Sequence, residues 1–518
     1  MSEQLALLPG YLTAHLQLTL VALLLGTAAS VPLGVAVTRR RGLEGPVLGF
    51  ASVVQTIPSL ALLAVMVPAL AALGGVSAAL IGFEPPSIGY LPAIVALTLY
   101  GVLPILRNTV AGIAGVDPAL REAALGVGMT GRQSLARVEL PLAMPVIVAG
   151  IRTAAVWIVG TATLSTPVGA TSLGNFIFSG LQTRNLAAVG VGCAAAAALA
   201  IALDQLIRAV EVGLRRRSRR LVAAALGLLL ALYAWSGAAF AWQRFSAGAE
   251  QPVRIGAKTF TEQYVLAEVL GQWLEHEAEL PSRVLASLGS TVAFDALRAG
   301  EIDVYVEYSG TVWATLMKRD GAPPPRAQVL SQVEAWLAER DVVVAGALGF
   351  ENTYALGMRG AEARERRIRS IADLAARAPR LAIGGDFEFF SRAEWAALAR
   401  AYGLAFREQR TMDPSLMYQA LEAGQVDVIS AYSTDGRLAA LDVVLLKDGL
   451  GVIPPYDAMV LASARLARER PRALAALRAL SGTIDRARMQ RMNLAVDGAG
   501  RTPRDVAAEL VAELAARR

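Results

Sequence analysis

The sequence predicts two architectures in one chain: an all-α transmembrane domain over about residues 1–245, then an α/β domain of two lobes over 251–518. Three observations carry this. Of the 518 residues 55% are hydrophobic and the mean hydropathy is +0.47, so at least part of the chain belongs in lipid. The apolar excess is uneven: charges are scarce up to about Trp242, and from about Gln251 the composition is that of ordinary soluble protein. Beyond that point short β-like runs alternate with amphipathic helical stretches, as in sheets covered by helices.

Charge and residue usage then exclude several functions. The net charge is +6, yet no stripe of interleaved aromatic and basic residues accompanies it, so no nucleic-acid partner is expected. Arginines instead flank the apolar segments, as positive-inside topology requires. Cys193 is the single cysteine, so no intrachain disulfide and no cysteine metal site is expected. His15 and His276 are the two histidines, too few for a histidine cluster, and no metal or other cofactor is expected. The first residues lack a basic run, which predicts no cleaved signal peptide.

Six spans are expected, at about Leu12–Val37, Val47–Leu70, Ile88–Leu106, Leu142–Ser165, Leu186–Ile207 and Leu221–Trp242. The second holds Gln55 and Pro58, which point to a bundle interior rather than lipid. Ala71–Gly82 is either a short or a re-entrant helix, and Thr166–Arg184 reads as an outside loop or a partly re-entrant segment. With the N-terminus outside, Arg39–Arg41, Arg208 and Arg215–Arg220 fall on the cytoplasmic side and everything after Trp242 falls outside. Trp235 and Trp242 suit an interface. Paired acidic residues that would make a proton relay are missing from the spans, which argues against an ion-coupled carrier.

Between the third and fourth spans lies a polar island, Arg121–Pro141 (REAALGVGMTGRQSLARVELP). Arg121 and Glu122 give a helix a charged start, Ala123 and Ala124 permit close approach, and Gly126, Gly128 and Gly131 bend the chain. Pro141 suits the first turn of the next helix. The spacing of Glu122-Ala123-Ala124, Gly128, Val138, Leu140 and Pro141 resembles the EAA loop of ABC-importer permeases, with Val138 where isoleucine is usual. That resemblance implies a type I importer-like fold. It also implies a cytoplasmic helix-turn-helix that docks on an ATPase subunit through Glu122, Ala123, Ala124 and Gly128.

In the second half, Val253–Gly256, Val304–Val306, Val342–Ala345, Leu381–Gly384 and Val426–Ser430 read as strands. Glu262–Leu274, Val329–Glu339 and Arg392–Tyr402 read as helices. A ligand is expected in the crevice at the strands' carboxyl ends. The ordered set KTFTEQ (258–263), GST (289–291), AGEIDVYVEYSGT (299–311), GFENTYA (349–355), YQALEAGQVDVISAYSTDG (418–436) and PPYD (454–457) resembles the binding proteins of the glycine betaine/choline/carnitine importers. In that family permease and binding protein are fused in this order in several members. The resemblance implies a type II-like binding fold with lobe one at 251–345 and 454–518, lobe two at 346–453, and two hinge strands.

It also implies capture of a quaternary ammonium, which has no N–H to donate and is recognised by aromatic faces worth about 0.5–2 kcal/mol each. By motif, Tyr354, Tyr432 and Tyr456 match cage positions, and Gln263, Tyr308, Thr311 and Asn352 match nearby polar or wall positions. Three rings fall short of the roughly 8 kcal/mol of micromolar binding, so polar groups must grip the rest of the ligand. The segment after Thr311 departs from the family pattern: it offers Trp313 alone, too early to align as a fourth ring. A larger betaine such as ergothioneine is therefore the alternative ligand, with Glu388 and Phe390 either facing it or lying at the surface and in the core.

The expected whole is the membrane and binding component of an ATP-driven importer in the bacterial cytoplasmic membrane, acting as a homodimer among lipid. ATP hydrolysis falls to a separate subunit, since Gly256–Thr259 lacks the spacing of a phosphate loop. Asp303, Glu307 and Asp435 are read as helix caps, ion pairs or braces rather than a catalytic set, and Arg359–Arg369 as a solvated surface. An enzyme reading fails for want of a nucleophile–base pair. A ligand sensor would require a cytoplasmic output domain, which this reading of the chain does not supply.

Overall fold

The computed structural model describes residues 2–82, 85–183, 185–245, 251–319 and 323–517, and the chain forms two compact units, one helical and one α/β. In the helical unit the elements are α1 (Ser2–Arg39), α2 (Arg41–Thr56), α3 (Ser59–Ile81), α4 (Tyr90–Ala114), α5 (Pro118–Gly126), α6 (Gly131–Ser134), α7 (Leu140–Ala162), α8 (Gly174–Gln182), α9 (Leu186–Arg215) and α10 (Arg219–Phe245). Five of these elements, taken with their continuations, are long and apolar enough to cross a membrane. The bent pair α2 and α3 makes a sixth if it counts as one span.

That pair corrects the straight span expected at Val47–Leu70. The two helices turn by 102° between them. Pro58 removes a backbone donor and forces Ile57 into extended backbone (φ −67°, ψ 128°), which no helix continues. The carbonyl that the break frees at Ile57 accepts a hydrogen bond from the Tyr100 hydroxyl of α4, so the kink is satisfied from a neighbouring helix. Ala71–Ile81 simply continues α3. The helices also outrun the expected spans elsewhere: α4 reaches Ala114 rather than Leu106, and α9 reaches Arg215 rather than Ile207. In the expected loop 166–184, a tight turn over Thr163–Val168 leads to α8, and Arg184 lies outside the described residues.

Small residues bring the helices together. A Cβ at Gly150 of α7 would stand 2.8 Å from the Pro104 carbonyl oxygen of α4, so only glycine permits that approach. Charges inside the unit are paired across helices. The buried Glu139 accepts from Arg39 Nη2 at 2.6 Å and lies 3.6 Å from Arg121 Nε. On the other side Arg152 meets Asp204 at 2.6 Å and Glu211 at 3.1 Å.

The α/β unit holds two five-stranded sheets. The first contains β1 (Val253–Lys258), β2 (Ser282–Leu288), β3 (Val304–Tyr308) and β4 (Val342–Glu351). The second contains β5 (Tyr354–Arg359), β6 (Ala382–Gly385), β7 (Glu408–Thr411), β8 (Val428–Tyr432) and β9 (Val443–Leu445). The chain then returns to the first sheet as β10 (Asp457–Ser463). Strand orders are β2-β1-β3-β10-β4 and β7-β6-β8-β5-β9. β10 is buried along its whole length and runs antiparallel between β3 and β4, which ties the end of the chain into its first sheet.

The chain passes between sheets twice, at Asn352–Thr353 and over residues 446–456. β4 runs on to Glu351, so the first crossing lies later than the expected 345/346 boundary. The extension is held by β10, with Asp457 opposite Glu351. The carboxylates read as braces are held in ion pairs. Asp303 binds Arg254 and Arg465, Glu307 binds Lys258, and Asp435 binds Arg437.

Candidate functional site

A cleft opens between the two sheets at the carboxyl ends of β1, β6, β7 and β8, where an α/β crevice collects ligands. From the first sheet it takes Phe260 and Glu262, which follow β1 into α11 (Thr261–Ala278). From the second it takes Asp386, Met412 and Tyr432. Asn352 enters from the crossing after β4, and Asn493 from the helix Arg486–Asp497.

Glu262 is the electrostatic centre. Its Oε1 accepts from Tyr308 Oη at 2.5 Å and Asn352 Nδ2 at 3.0 Å, and its Oε2 accepts from Asn493 Nδ2 at 3.1 Å. Burial pushes its carboxyl above the ordinary 4.5, and the Thr434 side chain together with those neutral donors pulls the other way without fully offsetting it. Among the described residues no cation forms an ion pair with it. A carboxylate solvated by amides and a phenol, at the wall of a cleft, is suited to meeting a positive charge.

The rings are placed by strand register. Tyr354 and Tyr432 sit directly opposite each other on the antiparallel pair β5 and β8, and their centroids are 4.9 Å apart. Tyr456 meets Tyr354 edge-on at 5.5 Å. The sequence therefore picked three tyrosines that the fold gathers into one cluster. Of the three, Tyr432 lines the cleft, and its ring lies 6° from parallel with Phe260 at 6.4 Å.

Two protein cations lie over rings of this cluster, and one of them, the Lys258 ammonium, is 5.7 Å from the Phe260 centroid as well. The Arg392 guanidinium lies 5.2 Å from the Tyr354 centroid, and the Lys258 ammonium 4.7 Å from that of Tyr308. Tyr456 is 2% exposed and donates to Glu394 Oε1 at 2.5 Å. It is seated by its neighbours: Ser309 Oγ donates to the Pro455 carbonyl and accepts from Asp457 N, and a Cβ at Gly310 would stand 2.6 Å from the Tyr456 ring.

The remaining expected residues divide. Asn352 lines the cleft. Gln263 does not, because its amide is used inside, donating to the Val306 carbonyl and to Tyr308 Oη, both at 3.1 Å. Tyr308 is buried behind Glu262, and Thr311 is buried in the turn Thr311–Leu316. Phe390 packs against Phe389 and Trp395 in the second lobe, while the Glu388 side chain lies outside the described residues. Glu262 and Phe260 escaped the sequence reading although both sit in KTFTEQ. Phe260 is the one aromatic of that motif, and that was the available signal.

At the other end of the chain, the EAA segment is two short helices joined by a left-handed glycine. Asp117 caps α5 by accepting from Ala119 N, so α5 begins at Pro118 rather than at Arg121 and Glu122 as expected. Gly128 has φ +83°, a conformation that glycine adopts freely. Thr130 and Gln133 form a capping box that starts α6, and a wide helical turn over Leu135–Glu139 runs into α7. Glu122, Ala123 and Gly128 are exposed and Ala124 is buried. Leu120, Leu125 and Val127 are 46%, 57% and 74% exposed, an apolar surface on a polar segment.

Known proteins match both units. Residues 28–219 match the family described as binding-protein-dependent transport system inner membrane component. Residues 251–513 match the substrate-binding domain of ABC-type glycine betaine transport systems. The chain belongs to the osmoprotectant ABC importers, with permease and binding protein fused. This importer is 30% identical over 485 residues to the ergothioneine transport permease/ergothioneine binding protein EgtU of Helicobacter pylori (strain G27), covering 90% of the chain and 83% of that protein. Its permease half is 43% identical over 197 residues to the glycine betaine/carnitine/choline transport system permease protein OpuCB of Bacillus subtilis (strain 168), covering 38% of the chain and 83% of that protein. Its binding half is 30% identical over 264 residues to the carnitine transport binding protein OpuCC of Listeria monocytogenes, covering 50% of the chain and 85% of that protein. The importer is a multi-pass inner-membrane protein with its binding domain on the outer side. It is not an enzyme: ATP hydrolysis belongs to a separate subunit, and its cargo is a small molecule.

Proposed function

We propose that this importer takes up quaternary ammonium osmolytes of the glycine betaine, choline and carnitine kind, the trimethylammonium group resting against Tyr432 and Phe260. The observation that carries this is the near-parallel pair of ring faces beside a buried Glu262 with which no cation forms an ion pair among the described residues. Aromatic faces and a desolvated carboxylate together select a methylated cation without needing a donor from it. Tyr354 and Tyr456 back the pair, and Asn352 grips the polar remainder of the ligand. A larger betaine such as ergothioneine is the second reading, favoured by the likeness along both units to a relative that carries it. Calorimetry of the purified full chain against betaine, choline, carnitine, proline betaine and ergothioneine tests the reading, and silence toward all five ends it.

Two chains would form the conduit in lipid, each bringing one tethered binding domain, so that release need not await a diffusional encounter. The ATPase would dock on the exposed apolar and acidic surface of the EAA segment, around Glu122, Ala123 and Gly128 with the buried Ala124 beneath. Glu122→Arg and Gly128→Val should each abolish ATP-driven uptake in vesicles while leaving ligand affinity unchanged. Uptake retained in both variants would remove the docking role.

A further inference from the structure

The amides around Glu262 constrain the ligand beyond its charge. Asn352 and Asn493 are 6% and 4% exposed, and both line the cleft. Each directs Nδ2 at the carboxylate, and Asn493 Nδ2 also donates to the Thr434 carbonyl at 2.9 Å. Their orientation is therefore fixed, since a flipped amide would set oxygen against carboxylate oxygen. Both Oδ1 atoms consequently turn away from Glu262, and both are buried without a hydrogen-bond partner among the described residues. Glu262 is itself acceptor-only when ionised, and Asp386 on the facing lobe accepts from Phe389 N and Tyr432 Oη. The two amide oxygens are thus acceptors left over on this part of the wall, while Arg437 and the threonine hydroxyls line other parts of the cleft.

A buried acceptor without a partner is costly, and a site built around such acceptors rejects an analogue that lacks the matching donor. A fully methylated ammonium cannot supply it, and glycine betaine has no O–H or N–H anywhere. We propose that the physiological ligand carries, besides its quaternary ammonium, at least one O–H or N–H that is donated to Asn352 Oδ1 or Asn493 Oδ1. This rests on the quaternary-ammonium reading above and narrows it to hydroxylated or N–H-bearing members of that class.

The test uses ligand pairs that differ only in the donor, measured by calorimetry on the purified full-length chain. Choline is paired with n-propyltrimethylammonium, carnitine with its deoxy analogue γ-butyrobetaine, and histidine betaine with its ring-N-methylated derivative. In every pair that binds, the donor-bearing member should be tighter by about tenfold or more. The double variant Asn352→Leu/Asn493→Leu should shrink that ratio toward one. Because these substitutions also remove donors from Glu262, a thermal unfolding scan accompanies them, and the wild-type ratios stand independently of the variants. Equal affinities within all pairs would overturn the donor requirement, water then filling the role, while leaving the quaternary-ammonium reading standing. Failure of every member of every pair to bind would bring down that reading and the donor requirement together.

Discussion

The buried carboxylates of the helical unit and the one at the cleft of the α/β unit are held in opposite ways. In the helical unit Glu139 is met by Arg39 and Arg121, and Glu211 by Arg152 and Arg215. In the cleft Glu262 is met by a phenol and two amides. A carboxylate paired with arginine is neutralised and serves as a rivet between helices. One held by neutral donors keeps its field for an arriving cation and stays costly until the cation arrives. The α/β unit contains both kinds within one neighbourhood, since Glu307, below the cleft, is bound by Lys258 at 2.6 Å.

That contrast can be broken first at the rivet. Lys258 and Glu307 are 4% and 0% exposed, so Lys258→Met should lower the stability of the α/β unit by about 3–5 kcal/mol in urea denaturation. Lys258→Met/Glu307→Leu should restore most of it. A single variant as stable as wild type would mean that the pair is not a structural rivet.

The next effect belongs to the open carboxylate. Glu262→Gln should weaken binding of the cationic ligand by about 1.5–3 kcal/mol, the worth of a charge-assisted contact, with a smaller change in stability than Lys258→Met. Because burial raises the Glu262 carboxyl above 4.5, affinity should climb as pH rises through that raised value, with a proton released on binding. Without ligand the sign reverses: the raised value contributes stability that is full below 4.5 and is lost as pH passes the folded-state value. Calorimetry in buffers of different ionisation enthalpy reads the proton, and none released across mildly acidic pH would show Glu262 already ionised or out of reach.

The smallest effects separate the rings. Tyr432→Leu should cost about 0.5–2 kcal/mol in affinity, as expected for a ring facing the cation. Tyr456→Phe removes the hydroxyl bond to Glu394 but no cleft surface, so affinity should hold within about twofold while stability drops by about 1 kcal/mol. Equal losses in affinity for the two would place Tyr456 at the ligand as well.

What the sequence revealed followed from spacing, and what it hid followed from direction. Gly128 of the EAA segment and Tyr354, Tyr432 and Tyr456 were legible through the spacing of family motifs, whereas the register that sets Tyr354 opposite Tyr432 was not. KTFTEQ did not reveal which side chain faces the cleft. Successive residues on a helix point about 100° apart, so Glu262 and Gln263 diverge, and α11 is buried on every side over its first turns. The break at Pro58 was visible as a proline but not as a 102° turn, because the Tyr100 hydroxyl that satisfies it comes from another helix. β7, with four exposed residues, carried no apolar pattern to read.

The seat of Tyr456 has a consequence for how such a clamp tolerates change. The ring rests on the bare α-carbon of Gly310, and its flanking backbone is pinned by the hydroxyl of Ser309. Two residues at the end of β3 therefore set the position of an aromatic wall far along the chain. A methyl group added at 310 would be transmitted through Tyr456 to Tyr354 and on to Tyr432, so the pocket's shape is vulnerable to a lesion at a position that touches no ligand.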